Sequence, residues 1–132
     1  MMTTYTLSTT VPLPYDDAVA ATRAALAEQG FGVLTEIDIA ATLKAKLDVD
    51  VPPQVILGAC RPPLAHAALQ VDPSVAAMLP CNVVVRSVGA DTCVVEAFDP
   101  AVMTQIVPDL APIAAEAGQR LTAALAALTE EH

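Results

Sequence analysis

The sequence has few of the residues on which nucleic-acid-binding proteins depend. It contains no tryptophan, two tyrosines and two phenylalanines, so it offers no row of aromatic rings on which bases could stack. Six lysines and arginines stand against fifteen aspartates and glutamates, and the cations are scattered along the chain. The resulting net charge of -9 repels phosphate backbones and anionic membrane surfaces. We therefore expect neither a nucleic acid nor a membrane as a partner.

Long apolar runs and targeting signals are also lacking. No stretch of about 18 to 20 uncharged apolar residues occurs, which argues against a membrane-spanning helix. Residues 1–10 lack the positive and apolar regions of a signal peptide, so a cytoplasmic location is expected. The three cysteines are an odd number, which argues against a structural disulfide framework.

The composition is nevertheless apolar, with 55% hydrophobic and 16% charged residues. A chain of 132 residues with this much apolar surface can form a core, and we expect a single domain over residues 1–132. The apolar fraction is higher, and the charged fraction lower, than is usual for a domain whose whole surface faces water. With a membrane set aside, the excess favours a protein partner.

Hydrophobic periodicity and turn residues predict an alternation of short elements in the order β-α-β-α-β-α-β-β-α-α. Strands are predicted at 4–11, 31–39, 54–60, 81–88 and 91–98, and helices at 14–29, 38–47, 62–69, 99–108 and 109–129. The first two strands are expected to pair. The pattern predicts an α+β fold with a mostly antiparallel sheet of four to five strands and helices packed on one face.

The last two strands form a hairpin that bears on assembly. A type II′ turn at Gly89-Ala90 would place Val85 opposite Val94 and would point Cys81 and Cys93 to opposite faces. Both faces of the hairpin are then apolar, whereas a solvent-facing sheet is polar on one face. The simplest candidate to cover the second apolar face is an identical subunit. We therefore predict a homodimer with that sheet face at its interface.

Soft metal ligands and a cation gather around the ends of two predicted strands. Cys60 ends one strand and Cys81 begins the next, so the two thiols meet at one end of the sheet if these strands are antiparallel neighbours. His66 lies in the following helix and Met78 shortly precedes Cys81. This set of sulfur and imidazole side chains is suited to binding copper or zinc. The positive charge of Arg61 could favour the thiolate form of a cysteine. Cys60, Cys81 and His66 are therefore the candidate ligands of a soft transition metal.

Purely structural roles for the same residues remain open. Asn82 could hydrogen-bond a ligand or cap the end of a strand. The cysteines, Cys93 above all, could be small buried hydrophobes, while His66 could be a surface residue and Met78 a core filler.

Four segments in a fixed order resemble a known family over nearly the whole chain. They are GFGVLTEID at 30–38, LGACRP at 57–62, LAHAAL at 64–69 and LPCNVVV at 79–85. Together they are similar to the bacterial and archaeal family called domain of unknown function 302. That resemblance implies a small α+β subunit that forms a homodimer, with a pocket at Cys60, Pro62, Pro80, Cys81 and Asn82. It implies no activity, and Arg61 replaces the asparagine usual after the first cysteine.

Three functions from different classes follow from these observations. The first is a binding module with a small-ligand or soft-metal pocket formed by Cys60, Arg61, His66, Met78, Cys81 and Asn82. The second is a thiol redox enzyme or sensor that uses Cys60 and Cys81 as a reversible pair. The third is a structural or protein-interaction subunit. Whether the protein is an enzyme stays open at this point.

Overall fold

Strands and helices alternate along residues 5–129, the part of the chain that the computed structural model describes. The strands are β1 (Thr6–Val11), β2 (Gly32–Asp38), β3 (Gln54–Cys60), β4 (Cys81–Gly89) and β5 (Thr92–Phe98). The helices are α1 (Tyr15–Glu28), α2 (Ile39–Leu47), α3 (Pro62–Val71), α4 (Met103–Ile106) and α5 (Ala111–Ala127), with 3₁₀ turns at Pro73–Met78, Pro100–Val102 and Pro108–Leu110. Residue 4, where the first strand was predicted to begin, lies outside the described residues. No helix within residues 5–129 is both long and apolar enough to cross a membrane.

Contacts of individual side chains explain how α2 and α3 begin and how a polar residue is accommodated inside α1. The Asp38 side chain accepts a hydrogen bond from the Ala41 amide at 2.8 Å, which caps α2. Two prolines occupy the first turn of α3, where a missing amide proton has no intrahelical acceptor to lose. In α1 the buried Thr22 hydroxyl donates back to the Ala18 carbonyl oxygen at 2.7 Å, so the predicted polar residue in the helix stripe is satisfied.

The five strands form one sheet in the order β1-β5-β4-β3-β2, and every neighbouring pair is antiparallel. The predicted α+β class and antiparallel sheet are confirmed. The predicted pairing of the first two strands is wrong, because β1 and β2 lie at opposite edges. The order and directions make β1 and β2 run parallel. Parallel strands cannot be neighbours in a sheet where all neighbours are antiparallel.

The hairpin of β4 and β5 is shifted by one residue from the predicted register. Val85 lies opposite Val95, and Gly89 pairs with Thr92, so the turn is at 90–91. Gly89 lacks the positive φ that a type II′ turn requires, since Gly30 is the one glycine in residues 5–129 with such an angle. The shift exchanges the faces of β5 relative to β4. Cys93 therefore lies on the same face as Cys81, contrary to the prediction.

The buried side chains form two clusters beside the sheet. The larger lies between the sheet and helices α1 and α5, and it includes Val11, Leu26, Leu57, Val85, Val95 and Leu121. The smaller lies around α3 and the turns that follow β5, and it consists of Ala68, Val75, Met103 and Leu110. The junction of the two clusters is where the candidate site is found.

The opposite face of the hairpin is mixed rather than wholly apolar. Val84 and Val94 lie on it together with Glu96, which accepts hydrogen bonds from the Thr6 hydroxyl and from Arg86 Nη1, each at 2.6 Å. The Thr6 hydrogen bond and then that of Arg86 lower the pKa of the Glu96 carboxyl below its ordinary value. This polar network occupies part of a hairpin face that the predicted register had made wholly apolar.

The lowered pKa of Glu96 makes part of the stability dependent on pH. The stabilisation by the ionised Glu96 carboxylate is fully present above the carboxyl pKa of the unfolded chain. It is lost as the pH falls through the lower pKa of the folded protein. We expect Glu96→Gln to reduce the free energy of unfolding by about 1–2 kcal/mol at pH 7. The difference from wild type should shrink as the pH is lowered to 3, measured by urea unfolding. The exposed Glu28→Gln is the control, and a difference for Glu96→Gln that is independent of pH would contradict the assignment.

Candidate ligand cavity

A cavity of about 50 Å³ lies where the end of β3 and the start of β4 meet α3 and α5. Its wall is almost entirely apolar and contains residues of both hydrophobic clusters. The larger side chains in the wall are Phe31, Leu64, Leu79, Met103, Leu110 and Ile113. Strand ends and helix starts converge here, so no single element spans the space.

Cys60, Arg61 and Cys81 are the lining residues whose side chains have a polar atom. β3 and β4 are antiparallel neighbours, the condition under which the two thiols were expected to meet, with Ala59 directly opposite Cys81. Arg61 follows β3 and forms the N-cap position of α3 in an extended conformation. The two cysteines and the arginine therefore lie at one end of the sheet.

Arg61 has more hydrogen-bonding capacity than its protein neighbours use. Its side chain is 20% exposed, and Nη1 lies 3.5 Å from Glu116 Oε2, which is long for a hydrogen bond. The same carboxylate oxygen accepts a shorter hydrogen bond, 3.0 Å, from Arg120 Nε. Within residues 5–129, Arg61 Nε is the one buried side-chain nitrogen or oxygen without a hydrogen-bond partner.

Gly30 provides the space in which the Arg61 guanidinium lies. A Cβ atom at position 30 would come within 3.0 Å of Arg61 Nε, and the φ angle of +81° is one that side chains other than glycine's rarely allow. The glycine that ends the turn after α1 thus lets the arginine approach the backbone closely.

The two cysteines at the cavity are free thiols. Their Cα atoms are diagonal neighbours on adjacent strands, a separation of roughly 6 Å. Alternation along β3 nevertheless directs Cys60 to the face opposite that of Ala59 and Cys81. Burial, and then the nearby Cys60, raise the pKa of the Cys81 thiol. Both features disfavour a readily formed disulfide or a thiolate nucleophile at Cys81.

Comparison with known proteins places this architecture in a family. The model of the family described as "Domain of unknown function DUF302" matches residues 7–128. The chain belongs to the DUF302 family. The crystal structure of an uncharacterized conserved DUF302 protein from Bacillus stearothermophilus has a TM-score of 0.86 to it, at 27% sequence identity, and the alignment covers 96% of this chain and 99% of that chain. No curated protein matches the sequence significantly.

The six residues predicted for the site divide into three groups in this DUF302 chain. Cys60, Arg61 and Cys81 line the cavity. Met78 and Asn82 line a separate, more open groove on the other side of the Leu79–Pro80 segment. His66 is exposed on α3 and belongs to neither lining. The cavity thus contains three of the six predicted residues, and its wall is almost entirely apolar.

The structure does not assemble the predicted metal site. Among residues 5–129 no group of three or more His, Cys, Asp or Glu side chains is arranged to hold a metal ion. His66 lies outside the cavity that Cys60 and Cys81 line, because it falls on the exposed side of α3. The expected set of Cys60, Cys81 and His66 is thus corrected to two thiols without a third ligand.

Gly30 and Glu116 were not predicted as site residues. The sequence indicated Gly30 only as the residue at which the first helix ends. For Glu116, the spacing to Arg120 on a predicted helix was a usable signal of an ion pair. Neither signal indicated Arg61 as the shared neighbour, because that contact joins distant parts of the chain.

Proposed function

We propose that this DUF302 protein is a small-ligand-binding module and that its ligand places an apolar group in the cavity beside Cys60, Arg61 and Cys81. The observation that carries the proposal is the apolar cavity of about 50 Å³ at the junction of the two clusters. Protein interiors seldom leave spaces larger than a water molecule. A permanent void of this size costs about 1 kcal/mol. A ligand group that fills the space offsets that cost.

The dimensions of the cavity restrict the ligand. A single water needs about 10–15 Å³ measured in this way, so the space accepts about four water-sized groups. An apolar wall holds a polar water network poorly, because each water needs two to four polar partners. A short aliphatic group is the best match in size and polarity.

A thiol redox function is less well supported than binding. A reversible Cys60–Cys81 disulfide needs side chains that point toward each other, and a reactive cysteine needs a lowered thiol pKa. Burial raises the pKa of Cys81, and the strand pleat separates the two side chains. The free thiols suit a reducing compartment, so we also propose the cytoplasm as the location.

Xenon is a suitable probe for the cavity because it is small, apolar and uncharged. In wild-type protein we expect xenon to shift the amide NMR signals of residues around Leu64 and Met103 and to leave those of α2, which does not line the cavity, unaffected. Ala114→Val adds two methyl groups to the cavity wall and should abolish these shifts. Ala115→Val, at the exposed neighbouring position of α5, has the same helix-propensity cost and should preserve them. Wild-type signals that fail to shift near the cavity would overturn the proposal.

We further propose that the chain forms a homodimer through the sheet face turned away from α1 and α5. The register aligns Ile37, Ile56 and Val84 in one row across β2, β3 and β4, and the row continues through Glu96 to Ser8. Ile37 is 46% exposed, and Ile56 and Val84 are half-buried. In a two-fold arrangement the same patch meets its own copy, so an apolar half can cover an apolar half.

Light scattering tests the dimer proposal. Wild-type protein should have twice the mass of the 13.6 kDa chain, and Val84→Glu should reduce it to that of the monomer. Ala90→Glu, on the exposed hairpin turn, is the matched control and should remain dimeric. A wild-type protein that is monomeric at all concentrations would contradict the proposal and leave this face to a different protein partner.

A further inference from the structure

We propose that the ligand of the cavity is a short-chain monocarboxylate whose carboxylate is bound by Arg61 and whose aliphatic tail occupies the apolar space. This inference rests on the proposed function, since it presumes that the cavity binds a ligand. It adds the chemical class of that ligand and assigns Arg61 as the residue that selects it.

The unused donors of Arg61 carry the inference. A guanidinium offers five N–H donors in a planar fork that matches the two oxygens of a carboxylate. Glu116 approaches one Nη atom at 3.5 Å, and the buried Nε has no partner among the described residues. A buried donor left without an acceptor is costly. Nε itself is enclosed, so a second carboxylate would accept from the terminal nitrogens, which the protein uses only through the 3.5 Å contact with Glu116.

The surroundings of Arg61 place this fork at the cavity and strengthen its effect. The arginine lines the same space as Leu64 and Met103, so a ligand could contact the guanidinium and the apolar wall together. The absence of a side chain at Gly30 lets the guanidinium pack against the backbone on the Nε side. Arg61 is largely buried, and charge-assisted hydrogen bonds are stronger where water is excluded.

Glu116 is arranged to give way to such a ligand. Its Oε2 atom is hydrogen-bonded to Arg120 at 3.0 Å, so it retains a partner if its longer contact with Arg61 is lost. A ligand carboxylate therefore displaces one weak contact and leaves no charge unpaired. The same geometry makes Glu116 a competitor, since its negative charge opposes the entry of a second carboxylate.

The tail of the ligand follows from the volume of the cavity. A space for about four water-sized groups accepts an aliphatic chain of about three to four carbons. The test compounds are accordingly 3-methylbutanoate, which combines this tail with a carboxylate, and 3-methylbutan-1-ol, which has the same tail without charge.

Isothermal titration of both compounds separates the tail from the carboxylate. In wild-type protein we expect the carboxylate to bind about 10- to 100-fold more tightly than the alcohol, the ratio typical of hydrogen bonds to a charged group. Arg61→Gln should bring that ratio close to one. Arg23→Gln, which removes a cation paired with Glu36 away from the cavity, should leave the ratio unchanged.

A second variant tests the same inference without altering Arg61. Glu116→Gln removes the competing charge and should tighten carboxylate binding several-fold while leaving the affinity for the alcohol unchanged. If the alcohol binds and the carboxylate binds no more tightly, the assignment of a monocarboxylate is overturned and the proposed binding function survives. If neither compound binds and xenon does not enter the cavity, the proposed function itself fails.

Discussion

Gly58→Ala should lower the free energy of unfolding by about 1–3 kcal/mol, the usual cost of inserting atoms into a packed site. A Cβ atom at this position would overlap Thr35 Oγ1 and would lie 2.9 Å from Pro80 Cγ. The threonine hydroxyl could rotate away, but the proline ring is held at the junction that leads into β4. The loss should appear as a lower urea midpoint with an unchanged slope.

Two further variants separate this contact from a general effect of replacing glycine. Gly118→Ala is the control, because within residues 5–129 no atom beyond its chain neighbours and the nearby backbone of its own helix lies within 4 Å of the added carbon, and alanine favours the helix by about 1 kcal/mol. Thr35→Ala combined with Gly58→Ala should recover part of the lost stability and leave the contact with Pro80. Equal effects at positions 58 and 118 would show that the contacts with Thr35 and Pro80 do not matter.

Features set by short-range patterns could be predicted from the sequence. Tyr15, Val19, Thr22 and Leu26 recur at helical spacing, and they lie in α1 with Thr22 and Leu26 buried. The gathering of Cys60 and Cys81 at one end of the sheet was expected on the condition that β3 and β4 are antiparallel neighbours, and the structure meets that condition. The helix could be predicted because it depends on a few consecutive residues, and the gathering needed only strand direction and one pairing.

The hairpin illustrates where local patterns fail. Turn chemistry favours Gly89-Ala90, whereas the structure places the turn at 90–91, with an irregularity between Ser87 and Gly89. A shift by one residue moves every side chain of a strand to the other face. The same small error placed Cys93 on the wrong face and made the second face of the hairpin look wholly apolar, although Glu96 lies there.

The cavity and its arginine could not be derived from the sequence because they depend on distant contacts. Phe31, Leu64 and Ile113 line one space, although Phe31 precedes β2, Leu64 lies in α3 and Ile113 lies in α5. The relation between Arg61 and Glu116 requires the start of α3 to lie beside α5. His66 shows the converse, since it is close to Cys60 in sequence but is carried to the exposed side of the helix.

Phe31→Ala should produce the largest loss of stability, about 3–5 kcal/mol by urea unfolding. Phe31 is 4% exposed, belongs to the larger hydrophobic cluster and also lines the cavity. Removing its ring deletes buried surface and joins the vacated space to the cavity. The enlarged space should then accept benzene, which stabilises the variant in proportion to the logarithm of its concentration.

Benzene should therefore raise the melting temperature of Phe31→Ala and leave that of wild type almost unchanged. Val95→Ala is the control: this side chain is fully buried in the larger cluster but does not line the cavity. Its loss of stability should be smaller, about 2 kcal/mol, and benzene should not restore it because the space it leaves is too small for a ring. Equal rescue of both variants would show that benzene acts through the core at large. Rescue of Phe31→Ala alone would place the binding space beside Arg61, where the wild-type protein has room for a short aliphatic tail.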